Sequence, residues 1–136
     1  LGKDEPGYMA LSLQTRGVSA VTAACMLTPR ALFLQLGGLD EKAFGCAYND
    51  VDYGHRLEAK GLRNVYCAGA LLAHHESASR GKVDDPREAA ALRSKYRGYT
   101  DDFISPNLSL RDERFSIPAR KRLRGGERLR KVFSER

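Results

Sequence analysis

Glycines and helix caps divide the middle of this chain into short segments, and this division constrains its fold more than any other feature. Thr28, followed by a proline at the first helical position, predicts a short helix that ends at Gly37. A second helix is predicted to begin with a cap at Asn49 or Asp50 and to end at Gly61, where a left-handed terminator is expected. Within the second helix, Tyr53 and Leu57 share one face, and Asp52 and Arg56, also four residues apart, share another and can pair.

Short apolar runs lie on either side of these helices. Residues 18–27 are apolar on both faces, which predicts a buried strand. Residues 63–67 alternate and predict another strand, and 68–73 form a second short apolar run. A third helix is predicted from Asp85 to about Tyr96. The pattern indicates an α/β fold with a few mixed strands flanked by helices.

Length and composition indicate one small domain. The chain has 136 residues, and a hydrophobic content of 42% supports a modest core. It contains no run of 18 apolar residues, which excludes a predicted bilayer span. Its cysteines, Cys25, Cys46 and Cys67, show no Cys-x-x-Cys spacing, which argues against zinc and for a reducing, cytoplasmic setting. Since the chain begins with Leu1, we expect a fragment of a longer protein.

The net charge of +6 belongs to the C-terminal tail. Residues 120–136 carry eight Lys and Arg against two Glu, whereas residues 1–119 are balanced. A neutral body argues against specific binding of nucleic acid. The tail is suited to an anionic membrane surface, at roughly 1 kcal/mol for each basic residue. The alternative is a solvated, partly disordered terminus.

Two short motifs carry carboxylates and imidazoles. Residues 49–52 read Asn-Asp-Val-Asp, and a carboxylate at a helix start stays ionised and can accept a proton or hold a metal. The alternative is an ordinary capping aspartate. His74 and His75 follow the apolar run 68–73, so one of them is expected to face a cleft at the end of a strand. The alternative is a hydrogen-bonded structural histidine.

Two further motifs are rich in glycine. Ser-Ala-Ser-Arg-Gly at 77–81 offers hydroxyls, amides and a guanidinium, which suit a phosphate or pyrophosphate. Gly-Gly-Leu-Asp-Glu at 37–41 allows close backbone approach beside two acids. The alternatives are a solvated turn for the first motif, and a helix terminator with a polar loop for the second.

The order and spacing of these motifs resemble the C-terminal half of the catalytic domain of a family 2 glycosyltransferase with the A-type nucleotide-sugar fold. The resemblance covers 18–81 and, more loosely, extends to 110. Its motifs are Gly-Gly-Leu-Asp-Glu (37–41), Asn-Asp-Val-Asp-Tyr (49–53), Arg-Leu-Glu-Ala-Lys-Gly (56–61) and His-His-Glu-Ser-Ala-Ser-Arg-Gly (74–81). The last motif, with Ser-Pro-Asn-Leu-Ser (105–109), is similar to bacterial members that build surface polysaccharides, including rhamnosyl transferases.

The resemblance implies a role for each motif. Asp50 would be the general base of an inverting transfer from a nucleotide-diphosphate sugar to a glycan or lipid-linked acceptor. His74 would bind a divalent metal, Mg²⁺ or Mn²⁺, and Arg80 and Ser79 would contact the donor diphosphate. The residues implied on the acceptor side are Gly38, Leu39, Asp40 and Asp52.

The chain departs from the family pattern at its N-terminal side. Family members carry a preceding nucleotide-binding half with an acidic metal motif, and nothing before residue 18 supplies one. We therefore expect residues 1–119 to form half of a catalytic domain, with a core at 18–81 and an extension at 82–119. Such a half would be inactive alone, bind nucleotide weakly and expose apolar surface near 18–27, which predicts a homodimer or a rearranged end.

Two other functions are compatible with the sequence. The chain is also interpretable as a non-catalytic interaction module that uses 120–136 on anionic partners. A metal hydrolase built on His74, His75 and Glu76 is less well supported, because such sites often use histidines at i and i+4 of a helix. For the glycosyltransferase, the expected location is cytoplasmic, or peripheral at the inner face of the membrane.

Overall fold

Three α-helices and a two-stranded sheet form the regular structure of the residues that the computed structural model describes, which are 6–72, 85–105 and 108. The strands are β1 (Arg16–Val18) and β2 (Asn64–Tyr66), and the helices are α1 (Arg30–Gln35), α2 (Asn49–Glu58) and α3 (Pro86–Lys95). Short 3-10 turns occur at Tyr8–Leu13 and Ala23–Cys25.

The two strands form an antiparallel ribbon that is tied to α2. Val18 lies opposite Asn64 in its register. The Asn64 side chain is buried, and its amide nitrogen donates to the carbonyl oxygens of Ser19 at 2.8 Å and Gly54 at 3.0 Å. A single amide thus joins the end of β1, the start of β2 and the middle of α2, and its own burial is compensated by two hydrogen bonds.

Helix α2 supplies most of the buried side chains. Tyr53 and Leu57 share one face of the helix and are buried, as their spacing predicts. The Tyr53 ring packs on Phe33 of α1 with ring centroids 5.5 Å apart, and its hydroxyl lies 2.9 Å from the Thr28 hydroxyl. Phe44, just before α2, is completely buried. The core therefore forms around α2.

Helix α3 begins as the sequence predicts. The Asp85 side chain accepts a hydrogen bond from the Arg87 backbone at 2.9 Å, and Pro86 is the first helical residue. The predicted helix over residues 85–96 is confirmed.

The predicted buried strand over residues 18–27 is wrong. Strand β1 ends at Val18, and residues 22–25 are exposed. Thr22 caps the 3-10 turn, because its hydroxyl accepts from the Ala24 amide at 3.4 Å and so competes with an extended backbone. Leu27 is fully exposed. The predicted exposure of apolar side chains in this segment is confirmed, although its secondary structure differs.

The predicted helix caps are also displaced. Pro29 is the N-cap of α1, and Thr28 pairs with Tyr53 instead of capping. The residue before α2 is Tyr48, which has a left-handed backbone at φ 63, so neither Asn49 nor Asp50 occupies the cap position. A sequence pattern marks the region where a helix starts more reliably than its first residue.

The predicted C-terminal stops are confirmed. Gly37, Gly38 and Gly61 all have positive φ, at 80°, 70° and 73°. Past β2, residues 68–72 contain no strand, since the backbone turns back with an Ala70 amide donating to the Cys67 carbonyl at 3.1 Å. The described residues therefore combine helices with a small antiparallel sheet, and no mixed sheet is present among them.

The cysteines and the membrane-span prediction can each be compared with the described residues. The three cysteines are all free and exposed. No helix in the described residues has the length and apolarity needed to cross a membrane.

Gly54 allows α2 to lie directly on the chain that leaves β1. A Cβ atom at this position would stand 2.7 Å from the Ser19 carbonyl oxygen and 2.7 Å from the Ala20 Cβ. We predict that Gly54→Ala lowers the free energy of unfolding by about 2 kcal/mol, because the clash with backbone exceeds the ~1 kcal/mol gained in helix propensity. Urea denaturation measures this difference.

Gly69→Ala is the matched control, because an added Cβ there meets nothing within 4 Å. We expect it to change the free energy of unfolding by less than about 1 kcal/mol. Equal stability of the two variants would contradict the close packing of α2 on residues 19–20.

Candidate functional site

Asp50 lies in the first turn of α2 and is half-buried. Its Oδ2 accepts a hydrogen bond from the Ala23 amide at 3.0 Å, and its Oδ1 accepts from the Val51 amide at 2.8 Å. Each carboxylate oxygen has a second lone pair, so each retains capacity to accept another hydrogen bond. The Asp50 carboxylate therefore lies at the start of a helix, where two backbone amides fix its orientation.

Asp52 is completely buried and bound by three side chains. Lys95 Nζ lies 2.6 Å from Oδ1, the Tyr96 hydroxyl donates to Oδ1 at 2.7 Å, and Arg56 Nε donates to Oδ2 at 2.7 Å. Burial acts to raise the pKa of Asp52, but hydrogen bonds from Lys95, Tyr96 and Arg56 outweigh it and hold the pKa below its usual value. The acceptor-side role implied for Asp52 stays a prediction, and protein donors hold both of its oxygens here.

Arg56 connects this carboxylate to the end of α1. Its two terminal nitrogens donate to the carbonyl oxygens of Leu36 and Gly38, each at 2.7 Å, while its Nε binds Asp52. The last carbonyls of a helix lack partners within the helix, so the guanidinium satisfies the C-terminal end of α1. The pairing of Asp52 with Arg56 that their spacing predicts is confirmed.

The pKa of Tyr96 is raised, in contrast to that of Asp52. Burial first, and then its hydrogen bond to the Asp52 carboxylate, raise the pKa of the Tyr96 hydroxyl far above its usual value. Tyr96 therefore stays a neutral donor to Asp52 throughout the ordinary pH range.

A cleft of about 850 Å³ opens beside the glycine turn that follows α1. Gly38, Leu39 and Asp40, which the sequence predicts on the acceptor side, line this cleft together. The remaining lining residues are Phe33, Leu34, Leu36, Gly37, Glu41, Lys42 and Arg56. The lining combines leucine and phenylalanine side chains with charged groups, so the cleft is amphipathic.

Asp40 is oriented within this cleft. Its Oδ1 accepts from the Ala43 amide at 3.1 Å, and its Oδ2 lies 3.4 Å from Lys95 Nζ. The Ala43 hydrogen bond and Lys95 outweigh desolvation and hold the pKa of Asp40 below its usual value. Its carboxylate stays charged at neutral pH.

The predicted site residues fall into three groups. Gly38, Leu39 and Asp40 line the cleft, whereas Asp50 and Asp52 are not among its lining residues. Asp50 precedes Arg56, which does line the cleft, by six residues on α2, or about 9 Å along the helix. The third group, predicted to bind the metal and the donor diphosphate, consists of His74, Ser79 and Arg80, and it lies outside the described residues.

The described residues do not themselves provide a metal site. Within residues 6–72, 85–105 and 108, no three His, Cys, Asp or Glu side chains gather as metal ligands would. Asp40 and Asp52 are instead paired with Lys95. The metal predicted at His74 depends on residues outside this part of the chain.

The sequence motifs assigned no site role to α3, yet α3 supplies Lys95 and Tyr96 to Asp52. The signal is present in the sequence as positions 88, 92, 95 and 96, which share one helical face. Leu92 and Tyr96 are typical of a packing face, but no pattern in the sequence relates Glu88 to the amides of residues 45–47, or Lys95 to distant carboxylates.

The lowered pKa of Asp52 predicts how the stability of the fold depends on pH. Because the folded-state pKa is lowered, Asp52 stabilises the fold above its ordinary pKa of 3.8, and this contribution is lost as pH falls below that value. We predict that Asp52→Asn lowers the free energy of unfolding at pH 7 by about 3 kcal/mol, since it removes the buried carboxylate that pairs with both Lys95 and Arg56. The deficit should shrink towards pH 3.

Denaturation at pH 7 and pH 3 measures both effects, and exposed Asp102 provides the control substitution, Asp102→Asn. If the deficit of Asp52→Asn were independent of pH, the charge of Asp52 would not be what holds these helices together.

Comparison with known proteins gives relatives that are all much longer than this chain. An uncharacterized protein of Sinorhizobium fredii is 38% identical over 123 residues, which is 84% of this chain and 14% of the relative. The O-antigen biosynthesis protein RfbC of Myxococcus xanthus is 42% identical over 102 residues, which is 71% of this chain and 8% of the relative. No protein-family model matches the chain, and no solved structure matches it significantly.

A third relative has an activity in its name. The N-acetylglucosaminyl-diphospho-decaprenol L-rhamnosyltransferase of Mycobacterium tuberculosis is 37% identical over 81 residues, 60% of this chain and 26% of the relative. The chain thus spans between 8% and 26% of the length of these three relatives. Helices with a small antiparallel sheet are compatible with a portion of such an enzyme. The similarity suggests a glycosyltransferase family, in agreement with the resemblance to rhamnosyl transferases.

Proposed function

We propose that this chain is the C-terminal portion of the catalytic domain of an inverting family 2 glycosyltransferase with the A-type fold, active together with a nucleotide-binding half. Its donor is a nucleotide-diphosphate sugar, and its acceptor is a glycan or lipid-linked glycan. The similarity to a rhamnosyltransferase and to an O-antigen biosynthesis protein supports this proposal.

The observation that carries the proposal is the cleft beside the glycine turn. Residues from one sequence motif, Gly38, Leu39 and Asp40, contribute to a single cavity of about 850 Å³, large enough for one or more sugar rings. Asp40 offers a charged acceptor for sugar hydroxyls, and Phe33 and Leu39 offer apolar surface for ring faces. Such pairing of carboxylates with apolar walls suits a carbohydrate.

In this mechanism Asp50 is the general base. One carboxylate oxygen takes the proton from the acceptor hydroxyl while that hydroxyl oxygen forms a bond to the anomeric carbon. The bond from the anomeric carbon to the nucleoside diphosphate breaks, and the diphosphate leaves with the electron pair. The bonds from Ala23 and Val51 hold the Asp50 carboxylate in one orientation, which reduces the loss of freedom needed to reach the reacting geometry.

The donor side belongs to residues outside the described part of the chain. His74 would hold Mg²⁺ or Mn²⁺, and Ser79 and Arg80 would contact the diphosphate. A bound divalent cation would supply charge neutralisation for the leaving diphosphate. The guanidinium of Arg80 would supply paired donors to phosphate oxygens.

The leucine side chains of the cleft and the basic residues of the tail both support a lipid-linked acceptor. Leu34, exposed over 58% of its surface, stands with Leu36 and Leu39 on the cleft wall. The basic residues of 120–136, which lie outside the described residues, would hold the enzyme at an anionic membrane face. The proposal thus places the protein in the cytoplasm, peripheral to the membrane.

Asp50→Asn tests the assignment of the base. We predict that it lowers kcat by roughly 100- to 10,000-fold in the full-length gene product, because the amide cannot take the proton. Initial rates of sugar transfer from nucleotide-diphosphate sugars measure this loss, and circular dichroism shows whether folding is kept. Asp102→Asn, on an exposed turn, should retain the parent rate. A fully active Asp50→Asn protein would eliminate Asp50 as the base.

Asp40→Asn tests the acceptor cleft separately. We predict an increase in the KM for the acceptor of roughly tenfold with little change in kcat, because a hydrogen bond to a charged group is lost in both the ground and transition states. Rates at varied acceptor concentration and saturating donor give this split. An unchanged acceptor KM would place the acceptor somewhere other than this cleft.

A further inference from the structure

We propose that α3 is a positioning helix for the candidate site: Glu88 fixes the backbone segment that leads into Asp50, and Lys95 fixes Asp40 in the acceptor cleft. This inference rests on the function proposed above, and it assigns roles to two residues that no sequence motif contains. Both act through other residues, and neither is expected to touch substrate.

Glu88 binds three consecutive backbone amides. Its Oε1 accepts from the Gly45 amide at 2.9 Å and the Cys46 amide at 3.0 Å, and its Oε2 accepts from the Ala47 amide at 2.7 Å. Hydrogen bonds to an ionised acceptor are roughly twice as strong as neutral ones. One side chain therefore fixes the course of the chain over residues 45–47.

This segment enters α2 through a constrained residue. Tyr48 follows Ala47 and has φ 63, a left-handed conformation that is unfavourable for a residue other than glycine. Asp50 lies two residues further on. The direction in which α2 starts thus depends on a backbone geometry that the Glu88 carboxylate holds in place.

Lys95 serves the other end of the site. Its ammonium group lies 2.6 Å from Asp52 Oδ1 and 3.4 Å from Asp40 Oδ2, so it joins the buried carboxylate of α2 to the carboxylate of the cleft. Glu88 and Lys95 are seven residues apart, close to two helical turns, and therefore lie on one face of α3. A single rigid helix thus relates the Asp50 segment to the acceptor cleft.

The first test is spectroscopic and needs no enzymatic activity. In ¹H–¹⁵N spectra of the 136-residue chain, we expect the amides of residues 45–47 to be protected from hydrogen exchange. Glu88→Gln should remove this protection and also shift the Ala23 amide, which reports the position of Asp50 because it donates to Oδ2. Glu88→Asp, which keeps the charge, should recover part of the parent spectrum.

Arg93→Gln is the matched control, because Arg93 is an exposed charge on the same helix. It should leave all four amides unchanged. Unprotected amides at 45–47 in the parent chain would overturn the proposal even if Glu88→Gln failed to fold. An unmoved Ala23 amide in a folded Glu88→Gln chain would overturn it as well.

The second test separates the two positioning roles by kinetics in the full-length gene product. Glu88→Gln should lower kcat roughly 10- to 100-fold with a similar KM, because a misplaced base slows the chemical step. Lys95→Met should raise the acceptor KM several-fold, and Lys95→Arg should restore it. Identical losses from both variants would indicate a general structural role and overturn the assignment.

The two tests also distinguish this inference from the proposed function. If Glu88→Gln moves the Ala23 amide and the full-length protein transfers no sugar, the enzymatic proposal fails while the structural coupling stands. If transfer occurs and depends on Asp50 but is unaffected by Glu88→Gln, the function stands and the positioning role fails.

Discussion

The described structure depends on one buried carboxylate. Asp52 lies in the first turn of α2 and is bound by Arg56 from its own helix, by Lys95 at the end of α3 and by Tyr96, the residue that follows α3. A charge removed from water is strongly unfavourable unless it is paired, so the buried Asp52 carboxylate depends on these three partners. Through Arg56, the same carboxylate reaches the carbonyl oxygens that end α1. Three helices therefore share one electrostatic centre, which acts together with the small apolar core to fix their relative placement.

This arrangement explains why the candidate site has two separate parts. Two sides of α2 are involved, since Arg56 lines the cleft beside the glycine turn while Asp50 accepts a hydrogen bond from the Ala23 amide. Asp52 lies between them and orients the helix that carries both. In the proposed enzyme, Asp52 thus orients the helix that carries both the Asp50 base and Arg56 of the cleft wall, as supporting residues do around a reactive group.

The sequence predicts the parts of this fold that local chemistry determines. The glycine stops, the proline start of α3 and the spacing of Tyr53, Leu57 and Arg56 on α2 are confirmed. The predicted strand over residues 18–27 is wrong because small apolar residues are as compatible with an exposed turn as with a buried strand. The contacts of Glu88 and Lys95 were not predicted, because they join positions about forty residues apart or more and depend on how the helices pack. Gly38, Leu39 and Asp40 come together since they are neighbours in one motif, whereas distant groups such as Asp50 and Asp40 require tertiary information.

The small ribbon has a consequence for the order of assembly. Two strands of three residues are marginal by themselves, and β1 and β2 close the loop of residues 19–63, which carries an entropic penalty. Helix α2 lies inside that loop and presents the Gly54 carbonyl that the Asn64 amide binds. An early α2 would shorten the effective loop and offer a docking surface to both strand ends. We therefore expect the ribbon of β1 and β2 to form late in folding, after α2 is in place.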